Sequence, residues 1–270
     1  GNVPSHLLGK NAFQEADTTG ITRPCTKHNY LIKRADDVAR VVHEAFYVSR
    51  SGRPGPVVID MPKDIQMAKG KYVGPEKVVH RTYQPRVKGD SAAIERAVKL
   101  IADAKKPIFY AGGGVINSGP AASKRLIELA RLTGVPVTNT LMGLGGFPGS
   151  DPQFIGMLGM HGTYEANLAM HDCDVMVCVG ARFDDRITGR LDAFSPKSKK
   201  IHIDIDPSSI NKNVSVDVPI VGDVGSVLED MIAIWKRDGL SADKNALKAW
   251  WKKIDEWRGR DCLRYEQTDS

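Results

Sequence analysis

The amino-acid sequence predicts an α/β protein built on a doubly wound parallel sheet. Three observations carry that expectation. Beyond residue 90, apolar runs of strand length alternate with stretches of helical periodicity, the order that threads parallel strands with crossover helices. The runs are continuous, as in "DVMVCVG", and a strand apolar on both faces needs cover on both sides. Clusters of glycine or charge follow the runs, where ligands sit in sheets of this kind.

The elements can be justified in order. Val38, Val41, Val42, Ala45, Phe46 and Val48 recur at helical spacing over residues 36–49, and Gly52-Arg53-Pro54-Gly55-Pro56 stops that helix before a strand over 57–61. The chain opens on "GNVPSHLLGKNAFQEAD" with no initiating Met, so residues 1–65 read as the end of a domain whose beginning lies elsewhere. Residues 66–90 lose periodicity and gain Lys, Gly and Pro, as an interdomain linker does. A second domain follows over 91–240. It has helices at 91–104, 119–133, 163–171 and 224–236, and strands at 107–111, 135–139, 174–180, 200–206 and 219–223. The remainder, 241–270, reads as a helical connection with Trp250, Trp251, Ile254 and Trp257 at helical spacing. Three tryptophans on one amphipathic helix need a surface to pack on, and a further domain is expected to supply it.

Composition narrows the partners. Thirty-eight Lys and Arg against 32 Asp and Glu give a net charge of +6, scattered without charge blocks or aromatic-basic interleaving. That pattern favours a phosphate-bearing small ligand over nucleic acid. Cys25, Cys173, Cys178 and Cys262 form no CxxC pair, so reduced, core-type cysteines of a cytoplasmic protein are expected, with no metal site. No apolar run reaches the length of a membrane span.

Residues beyond the strand ends can be read together. Gly112, Gly113 and Gly114 follow the first strand of the second domain, Thr140, Leu141 and Met142 the second, and Gly159, Met160 and His161 precede the third helix. A glycine triplet lets backbone N–H groups approach a diphosphate, but it equally serves a tight strand-to-helix turn. The spacing of GxGxxG is absent, which disfavours hydride transfer to a nicotinamide. In "GARFDDRITG", Arg182 and Arg186 could hold phosphates bidentately with Asp184 and Asp185 orienting them; the alternative is a surface salt-bridge cluster. Asp204 stands where an acid that reads a ribose would stand, and His161 is either a ligand contact or a helix-start residue. No GxSxG, HExxH or Walker A pattern occurs, so the chain reads as a cofactor holder without a complete catalytic set.

Seven segments together resemble the catalytic subunits of the acetolactate synthase (acetohydroxyacid synthase) family. They are "NAFQEAD", "CTKHNYL", "SGRPGPVVIDMPKD", "YAGGGV", "GMLGMHGT", "VGARFDDRITG" and "HIDIDP". The resemblance implies the end of a pyrimidine-binding domain, then a central FAD-binding domain, then a helix leading toward a diphosphate-binding domain. It implies a thiamine-diphosphate- and Mg2+-dependent transferase that condenses two pyruvates, or pyruvate with 2-ketobutyrate, with loss of CO2 in branched-chain amino-acid synthesis. FAD does no net redox work in that reaction. By motif, Arg53, Gly112, Gly113, Gly114, Thr140, Leu141, Met142, Leu158, Gly159, Met160, His161, Gly180, Ala181, Arg182, Asp184, Arg186, Asp204, Ile205 and Asp223 resemble its FAD contacts. Phe13, Gln14 and Lys63 resemble residues lining a substrate channel at a dimer interface. The family implies a homodimer or tetramer with 2-ketoacid substrates, and leaves open a regulatory subunit.

Departures count too. The glutamate that protonates the thiamine ring in this family falls upstream of residue 1, and "GDVGS" does not supply the GDG…Asn-Asn pattern that holds Mg2+ and the diphosphate. Asn11 stands where the family more usually has Asp. The chain by itself is therefore expected to bind FAD and not to catalyse. Rival readings are another thiamine-dependent carboligase or oxidase, such as glyoxylate carboligase, pyruvate oxidase or sulfoacetaldehyde acetyltransferase, or a non-catalytic nucleotide-binding or assembly module.

Overall fold

A computed structural model describes residues 2–74, 78, 80 and 82–268. The chain divides into two compact units, Gly1–Pro85 and Arg86–Ser270. Part of the expected linker, at 75–77, 79 and 81, lies outside the described residues.

In the first unit, helix α1 (Thr18–Thr22) leads into strand β1 (His28–Leu31), helix α2 (Val38–Arg50), strand β2 (Val57–Asp60) and helix α3 (Lys63–Met67). The two strands pair in parallel, with Tyr30 opposite Ile59. Helix α2 turns Val41, Ala45 and Val48 inward, while Phe46 on the same helix stays exposed. Strand β1 has no counterpart among the sequence expectations, because "HNYL" is half polar and only partly buried.

The second unit holds α4 (Ser91–Asp103), β3 (Pro107–Ala111), α5 (Gly113–Ser118), α6 (Pro120–Thr133), β4 (Val137–Asn139), β5 (Phe154–Met157) and α7 (Tyr164–Asp172). It continues through β6 (Val175–Val179), α8 (Asp185–Thr188), β7 (Lys199–Asp204), β8 (Val218–Val221), α9 (Val224–Arg237) and α10 (Lys244–Arg258). Its six parallel strands lie in the order β5-β4-β3-β6-β7-β8. Counted within the unit this is 3-2-1-4-5-6, the doubly wound arrangement, and the winding reverses between β3 and β6.

Strand pleating sorts the side chains to two cores. Phe109, Val177, Ile201 and Ile203 face the layer of α4, α6 and α9, where Ile94, Leu126 and Leu228 are fully buried. Ile108, Tyr110, Met176 and Cys178 face the other layer, with Ala166 and Ala169 of α7 and Trp250 and Ile254 of α10. The surface beneath the tryptophan helix therefore belongs to its own unit, which corrects the expectation of a further domain for it. Trp250 donates from Nε1 to the Pro107 carbonyl at 3.1 Å, and Trp251 to the Gly134 carbonyl at 2.8 Å.

Two cysteines depart from the expectation of core cysteines throughout. Cys173 and Cys178 are buried, but Cys25 and Cys262 are exposed, and all four are free. Among the described residues, no helix is long and apolar enough to cross a membrane.

Candidate functional site

The switch point between β3 and β6 is where the two halves of the sheet part, and glycine is required there on steric grounds. A Cβ on Gly112 would lie 2.4 Å from the Gly180 carbonyl oxygen, and one on Gly114 would lie 2.6 Å from Gly180 Cα. The Gly112 N–H donates to Val179 O at 2.9 Å and the Gly114 N–H to Gly180 O at 2.9 Å. For these two the turn role holds, and their N–H groups are spent inside the fold. Gly113 differs: its N–H, in the first turn of α5, has no partner among the described residues.

Four loops converge around this point. Thr140 caps the turn after β4, its Oγ1 accepting from the Gly143 N–H at 3.0 Å. Leu141 and Met142 are left projecting, 68% and 75% exposed, with Met142 beside Gly113. After β5, Leu158 is buried while Met160 and His161 are exposed. His161 sits two residues before the Thr163 cap of α7, outside the helix start considered for it. Gly159, at φ +102°, is held by Asn167 in both directions: its N–H donates to Oδ1 at 2.8 Å and its carbonyl accepts from Nδ2 at 3.0 Å. The Met160 N–H then donates to Arg186 O at 2.9 Å, tying the β5 loop to the β6 loop.

The β6 loop alternates inward and outward. Ala181 and Phe183 are buried, whereas Arg182, Asp185 and Arg186 are exposed. The two arginines part company here. Arg182 pairs with Asp184, whose carboxylate also caps α8 by accepting from the Arg186 N–H at 3.1 Å. That backbone N–H foremost, then Asp185 and Arg182, hold the Asp184 carboxyl below the usual carboxylate range. The Arg186 guanidinium has no ion-pair or hydrogen-bond partner among the described residues. An exposed, permanently charged fork without a partner among the described residues suits a phosphate oxygen.

Asp204 and Asp223 are used within the fold. Asp204 is 8% exposed, accepts from the Asp206 N–H at 2.8 Å and places its other oxygen 3.7 Å from His202 Nε2, so the ribose-reading role loses its open carboxylate. Ile205 beside it is half-buried. Asp223 Oδ1 caps α9 and accepts from Ser118 Oγ at 2.8 Å, joining the end of α5 to the start of α9.

The remaining candidates lie in the first unit. Arg53 is exposed in the loop between α2 and β2. Phe13 is 90% exposed and Gln14, at φ +64°, follows it in a turn whose closure uses Glu15: the carboxylate accepts from the N–H groups of Gly9 and Ala12. Asn11, at φ +55°, takes a left-handed conformation that Asn tolerates better than most residues. Lys63 is exposed at the first turn of α3. Sequence reasoning missed Asn167, His202 and Asn213, which shape the loops from beneath; a histidine inside the apolar run "IHIDI" was the one visible signal.

A doubly wound domain whose loops meet at the switch point of its sheet defines a class, and the comparisons place the chain within it. Residues 94–231 match the family described as thiamine pyrophosphate enzyme, central domain, and the chain belongs to that family. It is 47% identical over 270 residues to an acetolactate synthase large subunit of Haemophilus influenzae, a match taking in 99% of this chain and 47% of that protein. The isozyme 3 large subunit of Escherichia coli K12 is 46% identical over 268 residues, covering 98% and 46%. An acetolactate synthase of Mycobacterium leprae is 47% identical over 270 residues, covering 100% and 43%. The chain spans about half the length of the curated relatives it matches.

Proposed function

We propose that this chain is the central part of an acetolactate synthase catalytic subunit, a cytoplasmic thiamine-diphosphate-dependent transferase, and that the ligand of its own switch-point crevice is FAD. The observation that carries the reading is the match of nearly the whole chain, at 47% identity, to an acetolactate synthase large subunit. The reaction is then the joining of two pyruvates, or of pyruvate and 2-ketobutyrate, with loss of CO2.

The residues present fit the cofactor. Arg186 and the Gly113 N–H offer positive charge and a donor to the diphosphate, and Leu141, Met142 and Met160 offer exposed apolar surface to a flat ring. FAD, when bound, supplies that ring and its diphosphate, with no net redox change in the reaction. Arg182, oriented by Asp184, adds a second cation at the rim. Arg53 is assigned as a cofactor contact on the family resemblance alone, and exposed Phe13, Gln14 and Lys63 to a substrate channel completed by a second subunit. A homodimer or tetramer and a regulatory subunit belong to this reading. No residue of this sequence is assigned to Mg2+ or thiamine diphosphate, and the chain alone is expected to form no acetolactate.

The reading is tested by titrating the purified chain with FAD and following flavin fluorescence. Saturable binding is expected, and Arg186→Ala should weaken it by about tenfold or more, the worth of a charge-assisted contact. Because Arg186 is exposed, the variant's melting temperature should match that of the unsubstituted chain. A folded chain that binds no FAD would remove the cofactor assignment; binding indifferent to Arg186 would remove that residue's role.

A further inference from the structure

The β6 loop is held from below more firmly than its exposure suggests. Its Ala181 carbonyl accepts from His202 Nε2 at 2.7 Å and from the Cys178 thiol at 3.1 Å. The sheet register explains the convergence. Cys178 on β6 and His202 on β7 are directly paired, so their side chains stand on the same face and reach the same point just past the end of β6. A carbonyl only accepts, so Nε2 must carry the hydrogen, and Nδ1 is left buried without a partner. Burial disfavours a charged imidazole, while the Asp204 carboxylate 3.7 Å from Nε2 favours one.

Two residues further on, Phe183 adopts φ +52°, a conformation that is unfavourable for a bulky residue and persists only where its surroundings insist on it. Its ring is 1% exposed and meets His202 edge-on at 5.0 Å, with Phe194 at 5.9 Å on another side. Asn213 Nδ2 donates to the Phe183 carbonyl at 2.9 Å. With Ala181 and Phe183 pinned inward, Arg182 and Arg186 are left exposed, with Asp184 half-buried between them and paired to Arg182.

We propose that His202 is a positioning residue for the cofactor: its Nε2–H, given to the Ala181 carbonyl, latches the β6 loop so that Arg182 and Arg186 are ordered before the ligand arrives. The inference rests on the FAD reading for its purpose, but the latch itself is a property of the free chain. Preordering spares the ligand the cost of immobilising two long side chains and a loop.

Two variants separate the donor from the ring. His202→Phe keeps an aromatic ring beside Phe183 and removes the donor; His202→Gln keeps a side-chain N–H and removes the ring. Limited trypsin digestion, mapped by mass, reads the loop directly because Arg182 and Arg186 are cleavage sites. Cleavage after these two residues should speed up about tenfold in His202→Phe, with other sites unchanged, and FAD affinity should fall about tenfold. His202→Gln should stay near the unsubstituted chain in both readouts. The latch is overturned if His202→Phe digests and binds as the parent does, or if His202→Gln is as impaired as His202→Phe. Should His202→Phe fail to fold, the long-range 1H–15N spectrum of the unsubstituted chain decides: a hydrogen on Nε2 is expected, and a bare Nε2 with a protonated Nδ1 would end the proposal. If the parent chain binds no FAD while the cleavage difference stands, the cofactor reading fails and the latch survives.

Discussion

Replacing Gly180 with alanine is expected to lower the melting temperature of the chain by about 4–20 °C. Two penalties coincide at this residue. Its φ is +64°, where an L side chain costs about 1–2 kcal/mol. The added Cβ would also lie 2.6 Å from Gly114 Cα and 3.0 Å from Val224 Cγ2. The first of these neighbours is backbone, held in place by the Gly114 N–H bond to Gly180 O, and cannot swing away as a side-chain tip would. Overpacking of that kind costs about 1–3 kcal/mol. Each kcal/mol moves the melting point of a domain this size by about 2–4 °C, which gives the range stated. Gly149→Ala is the internal control, since nothing lies within 4 Å of its Cβ position. Scanning calorimetry on both variants checks the claim. Equal melting points would mean that the close approach of the β3 and β6 loops is not what the structure shows. On the proposed FAD reading, the same substitution should also weaken cofactor binding, because the loop that starts at Gly180 carries both arginines.

What the sequence could disclose follows from how each feature is encoded. Strands β3 and β6 are continuous apolar runs buried on both faces, a signal contained within five residues, and they fall where the composition puts them; β7, "KKIHID", is buried after its first residue although only its two isoleucines are apolar. Strand β5 was invisible for a physical reason. Gly156 within it takes φ +91° and the pairing with β4 slips beside it, so "FIGM" shows neither alternation nor an unbroken run. Helix α5 hid in the same way: it begins inside the glycine triplet, and glycine is a poor helix former that reads as a turn.

The crevice residues divide similarly. Arg182 and Arg186 announced themselves by charge at a strand end. That Arg182 is paired and Arg186 is not depends on how the short helix α8 turns, which no spacing rule gives. The supports of the site are harder still. His202 reaches a carbonyl 21 residues away and Asn213 one that is 30 away, and a side chain bonded to distant backbone leaves no local signature. Asp204 and Asp223 show the opposite limit: carboxylates at strand ends look free in the sequence, and the N–H groups and hydroxyl they accept from within the fold are visible only in three dimensions.

Trp250→Ala should produce the other large loss, about 3–5 kcal/mol, or a fall of roughly 10 °C in the melting temperature of the second unit. Trp250 is 2% exposed, among the largest fully buried side chains of the chain. It packs edge-on against Trp257 at 5.8 Å and fixes α10 to the sheet through its bond to Pro107 O, at the start of β3. Truncation would leave both a cavity beside Ile254 and an unsatisfied carbonyl. Trp250→Phe separates the two: it keeps most of the volume and forfeits the N–H, so a loss of only about 1–1.5 kcal/mol is expected. Trp251, half-buried on the adjacent face, should be less costly to truncate than Trp250. The gradient tests where α10 belongs. If the helix were a connection held by some other body, truncating Trp250 would leave the melting of residues 86–240 untouched. A large shift instead makes α10 part of the layer that covers Tyr110, Met176 and Cys178, the face from which Cys178 reaches up to the β6 loop.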